Sequence, residues 1–158
     1  MEDIKSWKKE NLDTISCTFC TAKWKQVTLH LHNGHTHSCH HPTSHKIPLE
    51  ELKDNPSALH NTKFKKQQRK LMLEGKRPDE CDYCWRVEDS GSDELSDRTY
   101  KSFEPWAQPH IQDIVDKGWD DNVNPSYLEV SFSSVCNFKC SYCSPQVSSK
   151  WMEEIKEH

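Results

Sequence analysis

The stretch YLEVSFSSVCNFKCSYC, residues 127–143, begins as an alternating pattern and ends in three closely spaced thiols. Leu128, Val130 and Phe132 alternate with polar residues, which predicts a β-strand with one apolar face. The residues that follow, 144–158, contain a helical pattern. The order strand, cysteine loop, helix therefore predicts one βα unit and an α/β fold.

The predicted helix after the loop has start signals of its own. Ser144 is suited to the N-cap, and Pro145 to the first helical position. Val147, Trp151 and Ile155 then recur four residues apart, which is typical of a helix with one apolar stripe. We expect this stripe to pack against a sheet.

The loop itself supplies three potential metal ligands, Cys136, Cys140 and Cys143. A tetrahedral structural zinc needs four ligands, one more than the loop has. A 4Fe–4S cluster held by three thiolates leaves one iron open to a small molecule. Besides such a cluster, the residues alone leave two other interpretations of the three thiols open. They form a zinc site that a distant side chain completes, or they are unrelated thiols at the end of a strand.

Composition narrows the class of protein. Of 158 residues, 33% are hydrophobic and eight are cysteines, so metal sites are expected to help hold a thin core. The charged start, MEDIKSWKKE, lacks the apolar segment of a secretory signal, and no apolar run is long enough to span a membrane. We therefore expect a cytoplasmic protein without membrane contact, whose CxxC pairs bind metal. The net charge of −4 argues against general attraction to nucleic acid.

The chain divides into four regions by composition. Residues 1–16 are polar, and residues 17–90 carry five cysteines and eight of the ten histidines. Residues 91–125 are expected to form a linker, since SGSDELSD is turn-like and three prolines follow; only IQDIVDKG suggests a short helix. Residues 126–158 contain the βα unit.

A β-hairpin is predicted at VTLHLHNGHTHSC, residues 27–39, because Asn33-Gly34 suits a two-residue type I′ turn. Its side chains alternate, so the leucines and the histidines are expected on opposite faces. The histidines are either metal ligands or, as we favour, mostly exposed. The expected partners are His32 with His35, His30 with His37, and Thr28 with Cys39.

TKFKKQQRKLMLEG is predicted to be a helix with Thr62 as its N-cap and Gly75 just beyond its end. Its basic residues suggest either contact with RNA phosphates or an acidic partner, or a solvated face; the solvated face is favoured. In that case Phe64 and Leu71 turn inward. The basic residues are Lys63, Lys65, Lys66, Arg69 and Lys70.

CNFKCSYC resembles the CxxxCxxC signature of radical S-adenosylmethionine enzymes, which follows the first strand of a β/α barrel. The resemblance implies that Cys136, Cys140 and Cys143 ligate a 4Fe–4S cluster whose open iron binds S-adenosyl-L-methionine. It implies formation of a 5′-deoxyadenosyl radical and a reductant such as flavodoxin or ferredoxin. Tyr142 occupies the aromatic position expected near the adenine; packing under the loop is the alternative.

The earlier cysteines resemble the auxiliary-cluster modules called SPASM and twitch, in an order familiar from twitch-type radical proteins of phages. The spacing from Cys20 through Gly34 to Cys39 is similar to the opening of such a module, and Cys81-x-x-Cys84 to its later pair. The resemblance implies an auxiliary iron–sulfur cluster whose ligands would be Cys20, Cys39, Cys81 and Cys84. The rival interpretation, from the residues themselves, is a zinc site formed by the two CxxC pairs, with or without a histidine.

Cys17 is a surplus thiol outside the four ligands that the resemblance implies. It either replaces Cys20 as a ligand or is a small buried group.

A complete barrel needs further βα units, so we expect an incomplete partial barrel. The chain would then be a piece of a longer enzyme, or half of an enzyme that a second chain completes. Its substrate is unknown, a peptide being one class, and no catalytic residue is assigned. The alternative function is a non-catalytic zinc module that binds a partner or nucleic acid.

Overall fold

The chain folds into a mixed α/β structure of short helices around one small sheet. The computed structural model describes residues 3–91 and 94–157. Its strands are β1 Gln26–His30, β2 His35–His37, β3 His45–Lys46 and β4 Tyr127–Ser131. Its α-helices are α1 Ile4–Asn11, α2 Ala22–Lys25, α3 Leu49–Asp54, α4 Lys63–Leu73, α5 Asp82–Asp89, α6 Asp97–Phe103, α7 Ile111–Lys117 and α8 Ser149–Glu157. Short 3₁₀ helices occupy Pro56–Leu59, Asp79–Cys81 and Gln108–His110.

The sheet pairs strands that are far apart in the sequence. Its order is β3-β2-β1-β4, with β1 antiparallel to β2 and parallel to β4. The pairing of β1 with β4 runs from Gln26 opposite Tyr127 to His30 opposite Ser131. The cysteine-rich hairpin and the strand before the three-cysteine loop therefore belong to one sheet, in which β4 is an edge strand.

The predicted hairpin forms, but its predicted register is wrong. His30 pairs with His35, and Thr28 pairs with His37, so four residues rather than two form the loop. A type I′ turn needs positive φ at both central residues. Gly34 has a φ of +72°, but among the described residues no non-glycine residue has a positive φ. The Asn33 side chain instead accepts a hydrogen bond from the His35 N–H at 3.0 Å, which closes the wider loop.

Helix α4 begins and ends as predicted, but it buries two of its five basic side chains. The Thr62 side chain caps it by accepting a hydrogen bond from the Lys65 N–H at 3.1 Å. Lys65 and Arg69 are fully buried, and polar groups in the interior accept their hydrogen bonds, so the predicted solvated face is wrong for these two residues. Lys63 is exposed as predicted, whereas Phe64, predicted to turn inward, is 43% exposed.

The N-cap of α4 provides a test of the fold. Thr62 is fully buried, and its hydroxyl satisfies a backbone N–H that otherwise has no partner in the helix. We expect Thr62→Ala to lower the free energy of unfolding by about 1–2 kcal/mol, measured by urea denaturation. The matched control is Thr43→Ala, an exposed loop threonine, for which we expect little change. Equal effects of the two substitutions would contradict this assignment of the cap.

The segment predicted to be a linker contributes to the main core. Ala107, Ile114 and Val123 are buried there, and Trp24 Nε1 donates a hydrogen bond to the Gly118 carbonyl at 2.9 Å. The polar N-terminal segment also contributes, since Trp7 of α1 is buried in the same core. Residues 97–123 are therefore a packed part of the body that contains the cysteines.

The βα unit is present, with a later helix start than predicted. Helix α8 begins at Ser149, and Ser148 Oγ accepts a hydrogen bond from the Trp151 N–H at 3.4 Å, the position of an N-cap contact. The predicted cap at Ser144 and helical position of Pro145 are thus wrong. In the described ranges, the chain has no helix of the length and apolar character needed to cross a membrane.

Candidate metal centres

Four cysteines from separate segments line one pocket. Cys20 precedes α2, Cys39 follows β2, Cys81 ends the 3₁₀ helix before α5, and Cys84 lies in the first turn of α5. Cys20, Cys81 and Cys84 are buried, and Cys39 is partly buried. The structure thus brings together the four predicted auxiliary ligands. Cys17 is exposed and does not line this pocket, so the alternative of a small buried thiol is wrong for it.

Burial strongly disfavours ionisation of these four thiols. It raises the pKa of Cys20 and of Cys39 to about 12, and neighbouring thiols of the set add to the effect. Burial likewise raises the pKa of Cys84 to about 11 and that of Cys81 above its usual value. The thiols are therefore protonated at neutral pH, and binding of a metal centre must release their protons.

Two buried cations line the same pocket. Lys23 and Arg98 are 2% and 3% exposed, and they pair with Glu80 and Glu88 respectively. Burial opposes the charge on Lys23, but Cys81 and Glu80, together with Cys39, raise its pKa above the ordinary value. A positive charge thus remains at the pocket wall, where it favours thiolates over thiols.

Behind this wall lie two further basic side chains that have no carboxylate partner among the described ion pairs. Lys65 Nζ donates to Thr36 Oγ1 at 2.9 Å, and Arg69 donates to Asn61 Oδ1 at 2.8 Å. Burial, with Arg69 and Lys23 nearby, lowers the pKa of Lys65 to about 6. At neutral pH the metal-free fold therefore keeps the charge of Arg69 behind the thiols, whereas Lys65 is mostly uncharged.

The buried Lys65 predicts a pH dependence of stability. The pKa of Lys65 is about 6 in the fold and 10.5 when the side chain is solvated, so between these values the unfolded chain binds more protons. We expect the free energy of unfolding of the metal-free protein to rise with pH, by at most about 1.4 kcal/mol per unit from this group. Urea denaturation between pH 6 and 8, below the titration of the cysteines, measures this rise.

Lys65→Met removes the titrating group and keeps an apolar chain of similar length. We expect a smaller increase in stability with pH for this variant than for the unaltered chain. Lys63→Met, at an exposed position of the same helix, is the control and should keep the increase. If the free energy of unfolding rises equally steeply with pH in the unaltered chain and in Lys65→Met, the lowered pKa of the buried Lys65 is contradicted.

The thiols of the pocket are not preset around a single ion. In residues 3–91 and 94–157, no group of three or more cysteine, histidine, aspartate or glutamate side chains is arranged to hold a metal ion. Thiolates on a tetrahedral zinc lie about 3.8 Å apart, from bonds of about 2.3 Å. The cavity between the four thiols is about 20 Å³, roughly the room for one water. Binding of a cluster therefore requires their side chains to turn outward.

The three-cysteine loop is folded against the start of α8. Cys136 exchanges two hydrogen bonds with the Ser149 side chain, each 3.0 Å, one from its N–H and one to its carbonyl. Trp151 Nε1 donates to the Cys140 carbonyl at 3.1 Å. The loop backbone is thus held by the helix, while the sulfurs of all three cysteines remain partly exposed.

Tyr142 stands beside the three thiols with 90% of its surface exposed. The alternative that it packs under the loop is therefore wrong. A hydrogen bond to Cys140 raises the pKa of its phenol, and Cys143 and Cys136 add to the shift. Cys140 therefore lies against the phenol, and Cys143 and Cys136 lie near enough to affect its pKa.

Some residues of these sites were not found from the sequence. Lys23 and Arg98 carry no signal that separates them from the other basic residues, since their role depends on tertiary burial. Ser148 is a suitable N-cap residue three positions before Trp151, but the Ser144-Pro145 pair is the stronger start signal for a helix.

The hairpin histidines were expected to be mostly exposed. His32 is exposed, whereas His30, His35 and His37 are half-buried.

Comparison with known proteins gives no family assignment. No family model, curated protein or solved structure matches the chain.

Proposed function

We propose that the chain is the N-terminal part of a radical S-adenosylmethionine iron–sulfur enzyme. Cys136, Cys140 and Cys143 would hold a 4Fe–4S cluster with one open iron, to which S-adenosyl-L-methionine binds. The observation that carries the proposal is the loop itself: three thiols and an exposed phenol gathered between a parallel strand and a helix. When bound and reduced, the cluster would supply an electron that cleaves the cofactor to a 5′-deoxyadenosyl radical.

The residues of this chain would position that chemistry. Ser149 and Trp151 hold the loop backbone through the hydrogen bonds described above, so the three sulfurs keep a fixed direction. The exposed Tyr142 is available to lie against the cofactor. Both roles follow from contacts that are made before any cluster binds.

A partial β/α barrel fits the exposed apolar surface around β4. Leu128 on β4 is 56% exposed, and Phe132 just after the strand is 74% exposed. In the stripe predicted to pack on a sheet, Val147 before α8 and Ile155 on α8 are each 61% exposed. Parallel sheets are normally covered on both faces. We propose that further βα units cover these residues, contributed by a longer chain or by a second chain.

The four-thiol pocket would hold the auxiliary iron–sulfur cluster, with Cys20, Cys39, Cys81 and Cys84 as ligands. A cluster bound to four thiolates carries net negative charge, and the buried Arg69 behind the pocket would help to balance it. Lys23 and Arg98 would face the cluster directly. This charge arrangement supports an anionic centre of either kind, iron–sulfur or zinc.

The proposal extends to partners and location. A reduced flavodoxin or ferredoxin would deliver the electron, and a peptide is one candidate class of substrate. Such chemistry fits a reducing, cytoplasmic setting. These assignments depend on the resemblance of the loop and its auxiliary module to radical proteins, including those of phages.

A second candidate is a non-catalytic zinc module that binds a partner or nucleic acid. The small cavity between the four thiols favours it, because about 20 Å³ accommodates one ion more readily than a cluster. The absence of a preset group for a single ion, within the described part of the chain, counts against it.

Metal analysis after anaerobic reconstitution separates the two functions. With iron, sulfide and zinc all supplied, the radical-enzyme proposal predicts about eight irons and about eight sulfides per chain, from two 4Fe–4S clusters. About four of each would support the loop cluster alone. Stoichiometric zinc without sulfide would overturn the proposal in favour of the zinc module.

A further inference from the structure

The face of the sheet opposite α4 carries a row of imidazoles next to a carboxylate. On β1, Thr28 lies between His37 of β2 and Glu129 of β4. Two residues further along β1, His30 lies beside His35 of β2. Side chains two apart on a strand share a face. His30, His37 and Glu129 therefore project from the same side of the sheet, and none of them is a cysteine-pocket ligand.

His30 and His37 form a close diagonal pair across β1 and β2. Their Nε2 atoms lie 3.0 Å apart, and their rings are stacked with centroids 5.1 Å apart. His37 Nδ1 lies 2.5 Å from the Cys39 carbonyl oxygen, which can only accept a hydrogen bond. The proton of His37 is thus on Nδ1, and its Nε2 lone pair faces His30.

This arrangement matches the support that metal-binding histidines normally have. Such a histidine usually donates its other ring N–H to a backbone carbonyl or carboxylate, which fixes the ring and its tautomer. Two nitrogens bound to one tetrahedral zinc ion at about 2.0–2.1 Å lie about 3.3–3.4 Å apart. The observed separation of the two Nε2 atoms is 3.0 Å, so a small rotation of the two rings brings them to that distance.

A carboxylate is fixed on the same face. Glu129 accepts hydrogen bonds from Thr28 and from Tyr127, each at 2.9 Å, and His40 Nδ1 lies 3.8 Å from Glu129 Oε2. Burial opposes its ionisation, but these hydrogen bonds and the nearby His40 and His37 hold its pKa below the usual value. An ionised oxygen ligand is consequently available beside the two imidazoles.

We propose that His30 and His37 bind a divalent late transition-metal ion, such as Zn²⁺, through their Nε2 atoms. Water fills the other positions, and rotation of Glu129 toward the ion supplies a third protein ligand, since no group of three is preset within residues 3–91 and 94–157. Before the ion binds, the proton between the two rings is on His30 Nε2. When the ion takes that place, this proton moves to His30 Nδ1. It links β1 to β2 and, through Glu129, to β4. This site is separate from both thiol sites.

Imidazole ¹⁵N NMR of the full chain, labelled at histidine and titrated with Zn²⁺ alone, tests the proposal on the unaltered protein. We expect the Nε2 resonances of His30 and His37 to shift together and to saturate, while those of His110 stay unchanged. His30 is decisive, because zinc on Cys39 would also affect His37, two residues away. Absence of a shift at His30 would overturn the proposal.

A pair of variants gives an independent measurement. We expect His30→Gln to bind one zinc ion fewer per chain, or to bind it at least about tenfold more weakly, than His110→Gln in equilibrium dialysis. Zinc on the thiols is common to both variants and cancels in the comparison. Equal zinc content and equal affinity in the two variants would contradict a two-histidine site, whatever the outcome for the iron–sulfur clusters.

Discussion

Cys140→Ala is expected to lose about half of the iron and sulfide of the reconstituted protein, falling from about eight to about four irons per chain. The middle thiol of the loop is one of three ligands, and its loss leaves too few thiolates to hold a cluster there. The four buried thiols of the other pocket are untouched by the substitution. Iron and sulfide analysis, with the visible absorption spectrum, measures the change.

Cys17→Ala is the matched control for this substitution. Its thiol is exposed and does not line the four-thiol pocket, so we expect full iron content. If Cys140→Ala keeps all its iron, or if a complemented form still cleaves S-adenosyl-L-methionine, the assignment of the loop is wrong. If Cys17→Ala loses iron, Cys17 is a ligand.

Cys84→Ala is expected to lose the other half of the iron, with the loop cluster retained. Cys84 is 5% exposed beside Trp85, so the substitution also leaves a small void. Because of this void, we expect the metal-free variant to unfold at a slightly lower urea concentration than metal-free Cys17→Ala. The larger loss should appear in the reconstituted state, where bound metal adds to stability.

The two losses must be independent for the account to hold. The double variant Cys84→Ala, Cys140→Ala should then bind almost no iron. If Cys84→Ala instead loses zinc and no iron, the pocket is a zinc centre. If it loses all the iron, the two sites do not bind separate clusters.

Local patterns predicted several parts of the fold. The strand at Tyr127–Ser131, helix α4 with its Thr62 cap, and the existence of the hairpin all follow from alternation, capping and turn residues over short spans. The gathering of Cys20, Cys39, Cys81 and Cys84 was expected from their spacing and resemblance. In these cases nearest-neighbour chemistry and tertiary packing favour the same structure.

The remaining errors arose where tertiary contacts prevail over local preference. Lys65 and Arg69 are buried because Thr36 and Asn61 accept their hydrogen bonds, and those partners are distant or unmarked in sequence. The hairpin register differs because Asn33 makes a side-chain contact in place of adopting positive φ. The helix after the loop starts late because Ser148 and Ser149 bind the loop backbone.

The packing of residues 97–123 was also beyond a local pattern. Their prolines and charges are typical of a linker, yet Ile114 and Ala107 are fully buried against the cysteine-bearing body. Only IQDIVDKG gave a helix signal there, which helix α7 confirms, and the rest of the segment has too few apolar residues to produce a periodic pattern. Their burial depends on Trp24 and its neighbours, which are supplied by another part of the chain.

The central claim is that the three-cysteine loop holds a cluster with one iron free for the sulfonium cofactor. Electron paramagnetic resonance of reduced, reconstituted Cys84→Ala tests it most directly, because that variant should contain the loop cluster alone. Adding S-adenosyl-L-methionine is predicted to change the spectrum of the cluster by binding at the open iron. An iron–sulfur signal that stays the same on addition, or zinc in place of iron, would contradict the account.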